Sequence, residues 1–297
     1  MKQFLLLLFL PFLVISQTEG TITNGNAKIY YRTFGSGTPM LIINGGPGMN
    51  SNGFVPLAEK LSARNLTILY DQRGTGKSTI DKTDTSTITM DLMVTDIETL
   101  RKHLKIEKWV ILGHSFGGML ASYYATKHPE TIESMIMSSS GGIDLGLFSN
   151  GNSITEKLSS AERDSLNYWN AKIDKGDTSF AARIGRGRAM APAYVYNKKH
   201  VGTIAQRLTE GNSLVNGLVW QNMRKINFNC APALINFEKP VFIIQGKNDI
   251  LDLSIAQKIK SAFKNTELLL LDKCGHYGWL DREKDYYAAI ENFLKPI

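Results

Sequence analysis

Short apolar runs recur along the chain, each closed by small or polar residues. Met40-Leu41-Ile42-Ile43, Trp109-Val110-Ile111-Leu112 and Val241-Phe242-Ile243-Ile244 are wholly apolar. Leu66 to Tyr70, Ile132 to Met137 and Glu267 to Leu271 are nearly so. Runs without polar alternation predict strands covered on both faces, as in the middle of a parallel sheet. The segments between them carry helical signals. They cover Phe54 to Ala63, Thr89 to about Leu104, the stretch after Ser115 up to Pro129, the residues after Ser254, and Asp281 to Leu294. Thr89 is placed as an N-cap with Asp91 in the first turn, and Ser254-x-x-Gln257 reads as a capping box. Ahead of all this, Thr21-Ile22-Thr23 and Lys28 to Arg32 predict a hairpin turning on Asn24-Gly25. Alternation of strand and helix implies an α/β fold with a mostly parallel central sheet flanked by helices.

The alternation stops between about Ile143 and Pro240. Helical segments replace it, near Ser179 to Met190, Lys198 to Thr209 and Ser213 to Lys225, with a capping box at Ser153-x-x-Glu156. Because the strand pattern then resumes, this stretch is an insertion. The expected layout is a core of residues 17–142 and 240–297 with a helical cap at 143–239.

Composition excludes more than it adds. With 297 residues, 43% hydrophobic and 21% charged, the chain can bury a full α/β core. Its formal charge of +7 is spread out, with no basic block to suggest nucleic-acid binding. Met1-Lys2, the apolar run from Phe4 to Ile15, and small residues at Val14 and Ser16 predict a signal peptide, residues 1–16, cut after Ser16. The run is too short for a membrane span, and no other stretch is long enough. An exported protein, periplasmic or extracellular, with no stable span after cleavage, is the expectation. The two cysteines, Cys230 and Cys274, have no metal-like spacing and read as free buried thiols. No cofactor or metal is expected, and the sequence leaves the oligomeric state open.

The chemistry centres on Gly113-His114-Ser115-Phe116-Gly117, between a predicted strand and a predicted helix. Gly-x-Ser-x-Gly in that setting is a nucleophile elbow: a serine on a strained turn whose neighbours must lack a Cβ. Gly76-Lys77-Ser78 ends like a phosphate loop. The position of its first glycine holds Asp71, a carboxylate that would repel phosphate, so nucleotide binding is rejected. A serine needs a base, and the base a carboxylate. His276, in the glycine-flanked loop after the last strand, is chosen over His103, His114, His128 and His200. His114 is set aside because the elbow is expected to turn neighbouring side chains apart. Asp249, after the strand ending at Gly246, is the preferred acid, with Asp252 as fallback. The backbone N–H groups of Gly46 and Phe116 are the expected oxyanion hole.

These motifs resemble the α/β-hydrolases of the prolyl aminopeptidase (proline iminopeptidase) type. Gly45-Gly46-Pro47-Gly48 is similar to that family's His-Gly-Gly-Pro-Gly loop. Asp71-Gln72-Arg73-Gly74-Thr75-Gly76-Lys77-Ser78 is similar to its Asp-Gln-Arg-Gly-x-Gly-x-Ser run. The resemblance implies a secreted serine hydrolase with a small peptide or ester substrate and a helical cap. Removal of N-terminal residues is the leading activity, carboxylester or other acyl hydrolysis the alternative, and a non-catalytic binding protein the third reading. Two departures stand out: Asn44 replaces the loop histidine, and the elbow reads Gly-His-Ser-Phe-Gly where the family has Gly-Gly-Ser-Trp-Gly. An aminopeptidase must hold a substrate ammonium. If the chain is an aminopeptidase, one of Glu156, Glu162, Glu210 or Glu238 is expected above Ser115. None sits in a family motif and otherwise they read as solvated helix faces, and a cavity without a carboxylate would favour the acyl hydrolase.

Overall fold

The computed structural model describes residues 17–148 and 154–295. The expected signal segment 1–16 and Ser153 of the first expected capping box lie outside them. Strands β1 (Gln17–Asn24), β2 (Ala27–Phe34) and β3 (Thr38–Ile43) open the fold. Then come α1 (Val55–Leu61), β4 (Asn65–Tyr70), the two-residue β5 (Thr79–Ile80) and α2 (Met90–His103). After β6 (Trp109–His114), α3 (Phe116–Lys127) and β7 (Ile132–Ser138), the chain leaves the sheet. It forms α4 (Ser160–Asp174), α5 (Phe180–Met190), α6 (Val201–Arg207), α7 (Ser213–Lys225) and the single turn α8 (Ala231–Leu234). It returns as β8 (Val241–Gly246), α9 (Leu253–Ala262), β9 (Thr266–Leu271), α10 (Gly278–Asp281) and α11 (Glu283–Phe293).

The sheet runs β1-β2-β4-β3-β6-β7-β8-β9, with β5 paired on β2. From β4 to β9 every pairing is parallel, while β2 meets β1, β4 and β5 antiparallel. The apolar runs are the central strands, and alternate residues serve opposite faces. Leu41, Ile43, Ile111 and Ile243 join Met93, Ile97, Met119 and Ile259 of α2, α3 and α9. Met40, Ile42, Leu112 and Ile244 join Leu57, Leu61, Tyr286 and Ile290 of α1 and α11. Covering both faces explains why these strands show no polar alternation.

Several local expectations shift. Asn24 pairs with Ala27, so the hairpin turns on Gly25-Asn26, one residue later than expected. Gly25 takes φ +58 at the first central position, which suits glycine. Thr89 caps α2 as expected, accepting from Leu92 N at 3.2 Å. Asp252, not Ser254, caps α9: its carboxylate accepts from Ser254 N at 2.8 Å and thereby takes the cap position. A complete capping box lies at Ser159 and Glu162 instead, opening α4. The closing helix α11 begins at Glu283, two residues later than expected, and the separate turn α10 precedes it. Cys230 and Cys274 are free and buried, and burial pushes each thiol up to about 12. Among the described residues no helix is long and apolar enough to cross a membrane.

Candidate active site

Steric demands build the elbow. Ser115, between β6 and α3, takes φ 54 and ψ −121, a region that a residue with a side chain rarely enters. A Cβ on Gly113 would lie 2.6 Å from the Gly117 carbonyl oxygen, and one on Gly117 only 2.0 Å from that of Ile43. Both positions therefore exclude a side chain, and the serine is held on the tip of the turn. Phe116 begins α3, so its N–H has no carbonyl one helical turn back to bond.

The Gly45–Gly48 loop lies against this turn. A Cβ on Gly45 would meet Ser115 Cβ at 2.6 Å, and Gly46 sits at φ +73 beside Met49. The loop is braced from beneath by the Asp71–Ser78 run. Asp71 Oδ1 accepts from Ser51 N at 2.8 Å and Ser51 Oγ at 2.7 Å, while Oδ2 accepts from Lys77 N at 2.8 Å. Gln72 Nε2 donates to the Asn44 carbonyl at 3.0 Å. The resemblance to a phosphate loop thus has a structural basis: backbone N–H groups close on a carboxylate carried by the chain itself. Arg73 is fully buried and forms a bidentate pair with Asp96 of α2 at 2.7 and 2.6 Å. Asn44 donates to the Met49 carbonyl at 3.0 Å, so the amide serves the same loop its departure put in doubt.

Two further expected residues meet across the sheet edge. His276, in the loop after β9, and Asp249, in the loop after β8, pair through Nδ1 and Oδ1 at 2.8 Å, both buried. Leu251 N also donates to Asp249 Oδ1, at 3.0 Å. Asp252, the fallback, is spent on its helix cap, and the Ser254 bonds hold its carboxyl below the ordinary range. No hydrogen bond joins Ser115 Oγ to His276 among the described residues. Such contacts often tighten only when substrate binds.

His114 does not line the cavity that Ser115 opens on, but it packs against the expected base. Its ring centroid is 4.6 Å from that of His276, inside a wall of Phe54, Tyr277 and Trp279. Neither of its ring nitrogens has a hydrogen-bond partner among the described residues. Burial first, then the facing charges of His276 and Arg207, push its pKa well below the ordinary histidine value.

The helices between β7 and β8 close over the site at both loops. Arg207 Nη1 donates to the Asn50 carbonyl at 2.6 Å and meets Glu210 at 3.1 Å, and its Nη2 reaches the Gly45 carbonyl at 3.4 Å. Asn216 Nδ2 donates to the Pro47 carbonyl at 2.8 Å. On the other side His276 N donates to the Tyr194 carbonyl at 2.7 Å. Asp281 accepts from Gly275, Tyr196 and Asn197 N–H groups at 2.8, 2.8 and 2.9 Å. Sequence reasoning set His114 aside and missed Arg207 and Tyr194, which carry no spacing that marks them.

A cavity of about 510 Å³ opens on Ser115. Gly46, Met119, Tyr194, Leu208 and Trp220 are among its walls, and Arg186, Asn212 and Asn216 supply polar groups. No carboxylate is among its described lining residues, the arrangement expected of an acyl hydrolase. Glu156 and Glu238 are exposed, Glu238 beside Lys264. Glu162 is held in its capping box and Glu210 by Arg207. Among the described residues no group of three or more His, Cys, Asp or Glu could hold a metal ion.

The family model of the alpha/beta hydrolase fold matches residues 38–283, and the chain belongs to that family. It is 26% identical over 291 residues to a proline iminopeptidase of Lactobacillus helveticus, covering 93% of this chain and 97% of the relative. An α/β fold family hydrolase from Bacillus anthracis superposes with a TM-score of 0.76 at 22% identity, covering 93% of this chain and 98% of that one. An esterase from Exiguobacterium antarcticum superposes at 0.70 with 18% identity, covering 91% and 96%.

Proposed function

We propose that this chain is a serine hydrolase that passes the acyl group of a small ester or amide first to Ser115 and then to water. The buried Asp249–His276 pair at 2.8 Å, packed on the Tyr194 that lines the same cavity as a strained Ser115, carries the reading. Ser115 Oγ attacks the substrate carbonyl while His276 takes its proton and later returns it to the leaving group. Asp249 fixes the histidine with its proton on Nδ1 and stabilises the imidazolium that forms. The N–H groups of Gly46 and Phe116 receive the oxyanion, aided by the positive end of α3. Water then repeats the attack on the acyl-enzyme.

The substrate is the finer question. Likeness to proline iminopeptidases over most of the chain favours release of an N-terminal residue. The lining without a carboxylate favours an acyl substrate with no free amine, because a buried ammonium needs an opposite charge. We take acyl hydrolysis as the reading the geometry supports best and aminopeptidase action as the second.

A panel of p-nitrophenyl esters, Xaa-p-nitroanilides and their N-acetylated forms separates the two. Esters and acetylated anilides are expected to react at least as well as free-amine anilides. Preferential cleavage of free-amine substrates would restore the aminopeptidase. Ser115→Ala is expected to lower kcat by about 10⁴–10⁶-fold. An unchanged kcat in that variant would remove Ser115 as nucleophile.

A further inference from the structure

We propose that Arg186 is an anion-binding residue of the cavity, and that the substrate carries a carboxylate in addition to its scissile bond. The inference rests on the serine hydrolase reading for the word substrate, but the anion site itself does not depend on it.

Arg186 projects from α5 into the same cavity that opens on Ser115. Its Nε donates to Asn170 Oδ1 at 2.8 Å, which fixes the root of the guanidinium. Its two terminal nitrogens have no partner among the described residues, and no carboxylate lies within ion-pair distance. Three other guanidiniums drawn into the protein are answered by acids, Arg73 by Asp96, Arg101 by Glu98 and Arg207 by Glu210, while half-buried Arg32 and Arg163 bond Ser51 Oγ and the Leu158 carbonyl. Residues 149–153, between the 3₁₀ turns that border the cavity at Leu147 and Ile154, contain neither aspartate nor glutamate.

The surroundings strengthen the charge. Met49, Met119, Leu147, Leu208, Trp220 and Ile250 make most of the wall apolar. A cation facing such a cavity is poorly solvated and attracts an anion more than it would in water. The two terminal nitrogens of a planar guanidinium suit the two oxygens of a carboxylate. The same charge repels a substrate ammonium, which agrees with the missing acidic partner. Arg186 also acts on the hydroxyl of Tyr194, whose ring meets that of His276 at 5.7 Å, so the anion site adjoins the expected base.

Two substrate pairs locate the anion. Mono-p-nitrophenyl glutarate against p-nitrophenyl butyrate tests an anion on the acyl half. 4-Acetoxybenzoate against its methyl ester tests the leaving half. Each is measured in the wild type, Arg186→Met, Arg186→Lys and Arg186→Glu, and the anionic-to-neutral ratio of kcat/KM is compared, so that general damage cancels. In one pair the ratio is expected to fall about 10–100-fold in Arg186→Met, recover in part in Arg186→Lys, and fall furthest in Arg186→Glu. A ratio that does not move in either pair overturns the proposal.

Calorimetry on Ser115→Ala protein gives a readout without turnover. Binding of 4-phenylbutyrate is expected to exceed that of 4-phenylbutyramide and to be lost with Arg186→Met. Equal binding of the two, or none, overturns the site. Serine-dependent hydrolysis of neutral esters with no Arg186 effect would retire the anion site alone. Arg186-dependent binding without any hydrolysis would retire the serine reading alone.

Discussion

The sheet edge and the helices above it are built by different rules. At the sheet edge each group is fixed by something nearby. Glycine sterics hold Ser115, the Asp71 carboxylate gathers the loop beneath Gly46, and a buried pair ties Arg73 to Asp96. The helices between β7 and β8 have a small apolar centre of their own, Leu158, Leu166, Ala189, Met190 and Ala193. They dock on the sheet through apolar residues, Ile204 and Ala205 of α6 and Val215, Val219 and Met223 of α7, and are tied to the two loops that flank Ser115 by polar contacts of Arg207, Asn216 and Asp281. The rigid part thus carries the expected chemistry, while the docked part lines the cavity and sets what can enter.

That difference also governs what was legible. The elbow could be read because its requirement is local: no side chain fits at Gly113 or Gly117, whatever the rest of the molecule does. The apolar strands could be read because burial on both faces removes polar alternation. His276 and Asp249 followed from loop order after the strands. The cavity wall could not be read, because whether Glu210 faces Ser115 or Arg207 depends on how helices pack. Arg186 has no motif, and its meaning comes from the absence of an acid that only the assembled cavity reveals. Short-range errors have a similar source. Asp252 took a cap assigned to Ser254 because it stands one residue before α9, and β5 is too short to show periodicity.

The largest expected effect lies in the sheet edge. Asp96→Asn keeps the shape and removes the charge, leaving Arg73 buried beside a neutral amide. Removing one partner of a buried pair costs about 3–5 kcal/mol. Chemical denaturation is expected to show that loss, with KM for a neutral ester nearly unchanged in the protein that remains folded. A loss under about 1 kcal/mol would mean that water or relaxation reaches Arg73, and the contrast in rigidity would weaken.

The docked region should answer in the opposite way. Arg207→Met keeps much of the packing on Phe54, which the guanidinium covers at 5.2 Å, but removes the bonds to the Gly45 and Asn50 carbonyls. Bonds to a charged group contribute about 1.5–3 kcal/mol, so stability is expected to fall by about that much. The distinctive reading is kinetic. With the Gly45–Gly48 loop released, kcat for esters should fall about tenfold or more, since misplacing an oxyanion donor costs up to about 10²–10³. A loss of stability without a loss of kcat would show that the helices merely rest on the loop.

His114 supplies the smallest effect and joins the two regions, since it touches His276 and feels Arg207. Burial holds it neutral when folded, below the pKa of about 6.5 that histidine has in an unfolded chain. Above that value neither state binds the proton, and the residue adds no pH dependence. As pH falls below it, the unfolded chain takes up a proton that the folded protein refuses. Stability then declines by up to about 1.4 kcal/mol per pH unit from this group, until the depressed folded pKa is reached. His114→Leu removes the group that titrates while leaving a side chain of similar size in the aromatic wall. Urea midpoints measured at pH 7.5 and pH 5.5 should differ less for the variant than for the wild type, by about 1 kcal/mol in derived stability. The absolute stability of the variant does not enter, because each protein is compared with itself. Equal pH dependence in the two would mean that His114 takes up its proton in the folded protein as readily as in the unfolded chain. Its contact with His276 would then be a repulsion, and the site edge would be less rigid than the rest of the sheet.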